Sequence, residues 1–423
     1  MRILIASDSF KGCFSSAEAA SLISAGIEKA LPGAIVDIMQ VADGGEGTAS
    51  VLSDALGGEV RKVPVFGPAG NPVEALFSIL PGGEAIMDMA SASGLTLVPD
   101  GKRDIMGATT YGVGQLILAA LDAGCRRIMI GIGGSATHDG GIGMAEALGV
   151  RFYDSSGRVM SADSGSMQPA LLSAESESMQ PALFSAESES MQPALLGADS
   201  GSAQPALLSA KDLSDIAKID TSGLDKRLSS AEVYVLCDVE NPLCGPEGAA
   251  YTYGAQKGAG LDDIDYLDRS LGHYAEVVKR ETGLDLAEVK GIGAAGGIAL
   301  SLIAFTGAKM RSGIDYILDA TGFDDRARAA DLVITGEGKI DAQSAYGKAI
   351  SGIAKRATTF GVPVAAVCGS IDGDIQDVYA AGICAVEAAV CRPMTISEAL
   401  ENASENLINA AERLTRAIST GLR

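Results

Sequence analysis

Histidine is nearly absent from this 423-residue chain, with His138 and His273 its two examples. Zinc centres draw on histidine and cysteine, and a Ser-His-Asp hydrolase needs a histidine held as its base, so both classes are disfavoured. The seven cysteines (Cys13, Cys125, Cys237, Cys244, Cys368, Cys384, Cys391) are odd in number and contain no C-x-x-C pair. That pattern fits buried thiols in a reducing compartment better than a disulfide framework. Positive charge is also short: 32 Lys plus Arg stand against 54 Asp plus Glu, a formal charge of -22. Such a balance disfavours a sequence-independent grip on nucleic acid or on an anionic membrane and leaves a small molecule as the expected partner. No apolar run reaches the length of a membrane span, and the opening Met-Arg-Ile-Leu-Ile-Ala reads as a strand start and not as a signal peptide. A soluble, cytoplasmic protein is expected.

Hydrophobic side chains make up 47% of the chain, enough for a large core, and the length predicts two or three domains. Short β-branched runs alternate with alanine-rich helical stretches: Ile3 to Ala6, Ala34 to Ile38, Glu84 to Met89, Arg127 to Ile130, Tyr234 to Cys237, Leu332 to Thr335 and Val364 to Val367. Strand, loop and helix in repetition predict an α/β fold with a mostly parallel sheet covered by helices. Residues 161–208 depart from this pattern, repeating four times with a period of twelve (SADSGSMQPALL, SAESESMQPALF, SAESESMQPALL, GADSGSAQPALL). Twelve residues turn an α-helix through about 1200°, so successive apolar triplets cannot share a face, and each repeat carries a proline (Pro169, Pro181, Pro193, Pro205). One long amphipathic helix is disfavoured, and each proline could instead open a short helical turn. A partly ordered surface excursion is expected, read as expansion of a tolerant loop ahead of a partner-docking module.

Chemistry-bearing residues gather where hydrophobic strands run out. The first strand empties into Ser7-Asp8-Ser9-Phe10-Lys11-Gly12, before a helix whose expected cap is Ser15 or Ser16 with Glu18 nearby. A second strand leads to Asp43-Gly44-Gly45-Glu46-Gly47-Thr48, whose glycine amides can approach oxyanions. A third leads to Gly131 through Gly141, where glycines surround Ser135, Thr137, His138 and Asp139, a composition suited to a phosphate cradle. Asp238 and Asn241, also past a strand, suit an oxygen-only site of the magnesium kind. Gln256 and Lys257 place an amide and an ammonium beside small residues, and Gly336-Glu337-Gly338-Lys339-Ile340-Asp341 closes the set. No G-x-x-x-x-G-K-[ST] is present, so a nucleotide site here is not a Walker loop, and Gly131-Ile-Gly-Gly-Ser-Ala lacks the acidic partner of a dinucleotide fingerprint. Together the segments read as a Mg-phosphate site at the carboxyl ends of strands.

The segments DSFKG, VADGGEGT, MASASGL, TTYGVGQL, GGSATHDGG, CDVENPL, YGAQKGA, GAAGG and LVITGEGKIDAQ, in this order and spacing, resemble the bacterial glycerate kinases of the type-1 family from residue 1 to near the end, the repeat region excepted. The resemblance implies transfer of the γ-phosphoryl group of ATP to D-glycerate. It also implies two α/β domains with the active site in the cleft between them. One is flavodoxin-like and built from both chain ends, 1–87 and 311–423; the other, 88–310, is inserted and carries the repeats. Asp8, Lys11, Asp43, Glu46, Ser135, Asp139, Asp238, Asn241, Gln256, Lys257, Glu337 and Asp341 match the family's motifs, and Ser9 and Thr137 join them as phosphate- or substrate-binding candidates. On this basis Lys11 and Lys257 are expected to neutralise phosphate or carboxylate charge, Asp139, Asp238 and Asn241 to organise Mg2+, and Asp43 to act as base on the glycerate hydroxyl. The 2-hydroxyl is the expected acceptor, and a homodimer is an expected assembly. Two positions depart from the family pattern: Ser7 stands where proline is usual, and His138 where asparagine is usual, which would add pH sensitivity. The alternatives are a catalytically inactive binding homologue, a kinase for another hydroxy acid and, in third place, an NAD-linked oxidoreductase.

Overall fold

The computed structural model describes residues 1–10, 12–42, 44–45, 47–99, 101–160, 206–345 and 349–419. The expected repeat excursion at 161–208 therefore lies almost wholly outside the described residues, as do Lys11, Asp43 and Glu46. In chain order the strands are β1 (Arg2–Ser7), β2 (Ile35–Gln40), β3 (Glu59–Phe66), β4 (Pro72–Ile79), β5 (Ala85–Asp88), β6 (Arg127–Gly131), β7 (Arg151–Tyr153), β8 (Lys218–Asp220), β9 (Glu232–Leu236), β10 (Lys309–Arg311), β11 (Leu332–Ile340), β12 (Val364–Ile371) and β13 (Ile383–Ala388). Five of them form one wholly parallel sheet in the order β13-β12-β11-β1-β2. Taken in chain order within that sheet this is 2-1-3-4-5, the doubly wound order whose ligand crevice opens beside the first strand. β1 is buried on both faces, with Ile3, Leu4, Ile5 and Ala6 all 0% exposed, as a parallel strand covered by helices must be. The helix Ser16–Ala30 starts with the expected cap, Ser15 and Glu18 exchanging bonds in a capping box. It packs on Ala403–Ser419 so closely that a Cβ at Gly26 would stand 2.4 Å from the carbonyl oxygen of Ile408.

The second sheet runs β10-β9-β6-β5-β4-β3, parallel from β10 to β5 and antiparallel through β4 and β3. β3, β4 and nearly all of β5 lie within the expected first segment, 1–87, and they hydrogen-bond into the second sheet; the chain leaves the first sheet at Gly57-Gly58 and returns after Arg311. The β3–β4 hairpin escaped the sequence reading because β3 is charged, carries Pro64 and is largely exposed, so it lacks the apolar run that marks the other strands. Ile86, Met129 and Leu236 of the second sheet belong to the same apolar cluster as Leu4, Ala6 and Val333 of the first. The two sheets thus share core as well as chain.

Candidate active site

Motif loops from both sheets meet at one place. Gly44, with φ of 77°, is clasped so tightly that a Cβ at Gly313 would stand 2.4 Å from its Cα, and a Cβ at Gly131 would stand 2.9 Å from its carbonyl oxygen. No side chain fits there, which is the physical reason for glycine at all three positions. Carboxylates from the second sheet tie the arrangement together. Asp88, at the end of β5, accepts from the amides of Gly47 (2.9 Å) and Ala49 (3.1 Å), at the start of the helix Thr48–Leu56. Asp238, just past β9, accepts from Ser312 Oγ (2.8 Å) and from the amides of Gly313 (3.0 Å) and Ile314 (2.9 Å), at the start of the helix Gly313–Ala320. Beside this junction opens a cleft of about 660 Å3, lined by Asp8, Ser9, Phe14, Ala42 and Gly47 from the first sheet's loops and by Thr96 from the second's. That is the volume of a small-molecule site.

The loop after β6 is built around two buried charges. Lys257 is 2% exposed, and its ammonium donates to Ser135 Oγ (2.8 Å) and to the carbonyl of Thr137 (2.7 Å). Burial drags its pKa down from 10.5 to about 7, partly opposed by the negative charge of Asp139. Asp139, fully buried, accepts from the amide and hydroxyl of Thr110 (2.9 and 2.8 Å) and from the amides of Gly141 (3.1 Å) and Gly143 (3.3 Å). Desolvation still holds its carboxyl above the ordinary value. Underneath, Ala295, Gly296 and Gly297 run at φ of 53°, 69° and 83°, and the Gly296 carbonyl accepts from Gly140 N at 2.9 Å. A cationic donor beside a glycine-rich loop at the end of a parallel strand is suited to holding an anionic group, and the Asp139 carboxylate braces that loop through its amides.

The sequence pattern described as the glycerate kinase family matches residues 3–199 and 191–419. The glycerate kinase of Bacillus subtilis is 41% identical over 424 residues, covering 100% of this chain and 98% of that one. The glycerate 2-kinase of Escherichia coli is 38% identical, covering 100% and 99%. A crystal structure from Salmonella typhimurium LT2, provisionally named glycerate kinase 2, superposes with a TM-score of 0.74 at 37% identity, covering 100% of this chain and 99% of that one.

The chain belongs to the glycerate kinase family.

Within this glycerate kinase fold the expected site residues divide into groups. Ser135, Thr137, Asp139 and Lys257 are brought together as one buried cluster. Asp8 and Ser9 line the cleft, the Asp8 carboxylate accepting from Ser9 N at 2.6 Å. Glu337 and Asp341 meet at the end of β11, where Ser344 Oγ donates to Glu337 and Lys339 pairs with Asp341 at 3.1 Å. Gln256 is exposed, and its backbone carbonyl accepts from Arg103. Asn241 is committed at both ends, accepting from Tyr253 Oη (2.6 Å) and donating to the Glu247 carbonyl (2.7 Å). Lys11, Asp43 and Glu46 fall outside the described residues. His138 is corrected as a pH sensor: burial and the neighbouring Lys257 push its imidazole down to about 3, so it is neutral throughout the physiological range. Among the described residues the group that titrates near neutrality here is Lys257.

Sequence reasoning missed Asp88 and Thr110. Both adjoin quoted motifs, Asp88 just before MASASGL and Thr110 within TTYGVGQL, but their partners are 41 and 29 positions away. Gly296 has a testable cost of its own. A Cβ there would stand 2.3 Å from the Thr137 carbonyl that Lys257 binds. Gly296→Ala is therefore expected to cost about 3 kcal/mol, from positive φ and the clash together. Urea unfolding would read this as a lowered midpoint at unchanged slope, and an unmoved midpoint would contradict it.

Proposed function

We propose that this chain transfers the γ-phosphoryl group of ATP, as its magnesium complex, to a hydroxyl of D-glycerate, with 2-phosphoglycerate the favoured product. The observation that carries the reading is the buried ammonium of Lys257. Two of its three protons go to chain acceptors, and its charge is held in a glycine-rich loop at a strand end, a costly arrangement that an anionic ligand would repay. Similarity to curated glycerate kinases over the whole chain supports the choice of substrate.

Phosphoryl transfer asks the protein for position and for charge neutralisation, not covalent chemistry. Lys257 is assigned the developing negative charge, the amides of the loop after β6 the phosphate oxygens, and Asp8 with Ser9 the cleft wall. Lys11 is assigned with Lys257, and Asp43 is assigned as base on the acceptor hydroxyl. Asp238 and Asn241 do not fit as metal ligands in the arrangement seen: the carboxylate already accepts three chain donors, and the amide is committed at both ends. Among the described residues no group of three or more His, Cys, Asp or Glu is gathered as a metal cage. Mg2+ arriving with nucleotide phosphates keeps several waters and needs few protein carboxylates, so this does not conflict with a nucleotide-borne ion, whose contribution is to neutralise the phosphate charge. The two sheets are proposed as the two domains, divided near residues 57 and 312, and the cytoplasm as the site of action; no described helix is long and apolar enough to cross a membrane.

A coupled assay of the purified chain with ATP, Mg2+ and D-glycerate, with the product identified by NMR, is expected to give 2-phosphoglycerate. The 3-phosphate would overturn the acceptor assignment and keep the kinase. No turnover in folded protein that binds ATP would favour the inactive homologue or another hydroxy acid.

A further inference from the structure

We infer that Asp88, a residue to which neither the motifs nor the family likeness gives a role, is a positioning residue for phosphoryl transfer: it holds Gly47 and the start of the helix Thr48–Leu56 against the second sheet. The helix Thr48–Leu56 lacks an ordinary cap. Its N-cap is Gly47, at φ of 93°, with no side chain to accept the first amides. The acceptor is supplied from elsewhere, by the Asp88 carboxylate, which takes Gly47 N on one oxygen (2.9 Å) and Ala49 N on the other (3.1 Å).

A cap adjacent in sequence ends a helix and does nothing more. This one sits 41 residues downstream, on the last residue of β5, so the same two bonds fix the loop of one sheet to the strand end of the other. Asp88 is itself held, 9% exposed, paired in register with Gly131 of β6. Gly131 closes the arrangement from the other side, since a Cβ there would meet the Gly44 carbonyl at 2.9 Å and Asp88 Oδ1 at 3.0 Å. Gly131 also opens the loop that carries Ser135, Thr137 and Asp139. Asp88 therefore sets the distance from Gly44 and Gly47 to the loop that carries the Lys257 cluster. Transfer in line between two bound substrates is sensitive to displacements of about 1 Å, which can cost about 10²-fold. The inference rests on the kinase reading for its consequence, though not for its geometry.

The test uses the full chain with Asp88→Ala, Asp88→Asn and Gly131→Ala, and Thr395→Ala as a control that removes the cap of a surface helix. Turnover with ATP, Mg2+ and D-glycerate is expected to fall about 10²-fold in Asp88→Ala, less in Asp88→Asn, which keeps one acceptor oxygen, and substantially in Gly131→Ala. It is expected to stay at wild-type level in Thr395→Ala. Hydrogen exchange is read in parallel on the peptide spanning residues 44–56, whose amides at Gly47 and Ala49 are expected to lose protection in both Asp88 variants. Retained protection would overturn the clamp. Lost protection with kcat and KM within threefold of wild type would reduce Asp88 to a cap and overturn the positioning role. Should Asp88→Ala fail to fold, Gly131→Ala and Asp88→Asn decide by the same readouts. If wild type itself shows no turnover, the kinase reading fails, and the exchange data still decide the clamp.

Discussion

Replacing Lys257 by methionine is expected to abolish most turnover, by about 10³-fold, while leaving the protein at least as stable as wild type near pH 6.5. The loss follows from removing the buried cation assigned to transition-state charge, an interaction worth several kcal/mol in a water-excluded site. The stability side follows from the cost of keeping that charge buried. A pKa drawn from 10.5 in the unfolded chain to about 7 in the folded one corresponds to a penalty on the order of 5 kcal/mol at and below neutral pH. Against it stand the two hydrogen bonds to Ser135 and Thr137, whose loss leaves buried acceptors unsatisfied at about 1–3 kcal/mol each. The sign with pH is fixed by linkage. Between about pH 7 and 10.5 the unfolded chain holds the proton and the folded chain does not, so the penalty fades as pH rises. The melting temperature of Lys257→Met relative to wild type should accordingly be most favourable near pH 6 and decline towards pH 10. In the wild type, kcat/KM should fall as pH rises through about 7, and the limb for kcat should lie higher, because bound phosphate favours the charged amine. A variant that melts far below wild type at pH 6.5, or that keeps its turnover, would remove the basis for this role.

The strands that form the centre of each sheet were legible because a parallel strand buried on both faces leaves a continuous apolar run, as in Ile3 to Ala6 or Leu332 to Thr335. β3 was not, since most of it meets water and its charged side chains interrupt the apolar run. The site divides in the same way. Glycine set among acids at strand ends marks Ser135, Asp139, Asp238 and Lys257 as candidates, because a backbone that must lie against another backbone has to be glycine in sequence. What composition does not encode is which oxygen meets which amide. Asp238, expected to organise Mg2+, accepts from the start of the helix Gly313–Ala320, and Asp88, at the end of a strand, accepts from the start of another. His138 stands out as a departure that could titrate, but burial and the charge of Lys257, more than a hundred positions away, hold its imidazole neutral.

Asp139→Asn is expected to cost at least 3 kcal/mol of stability and at least 10²-fold in turnover, without weakening the dependence on Mg2+. The carboxylate receives four hydrogen bonds, from Thr110 N, Thr110 Oγ1, Gly141 N and Gly143 N, and both oxygens are occupied by amides that point at them. An asparagine of the same shape must turn its own N–H2 towards one of those amides, leaving donor against donor in a fully buried place. Removing the charge gives something back, since desolvation holds the carboxyl above its ordinary range, so the folded state gains relative to the unfolded state where the acid is protonated and loses that gain as pH rises. Four satisfied bonds outweigh that return. The variant should therefore unfold at lower denaturant, and its residual activity should show the wild-type Mg2+ concentration for half-maximal rate. That pairing separates two roles for one residue. If the half-maximal Mg2+ concentration rises tenfold or more while stability holds, Asp139 reaches the metal and the hydrogen bonds are incidental. If stability falls and the metal dependence stays, Asp139 acts by holding the loop after β6 in the shape that presents Lys257, and the ion owes its place to the nucleotide.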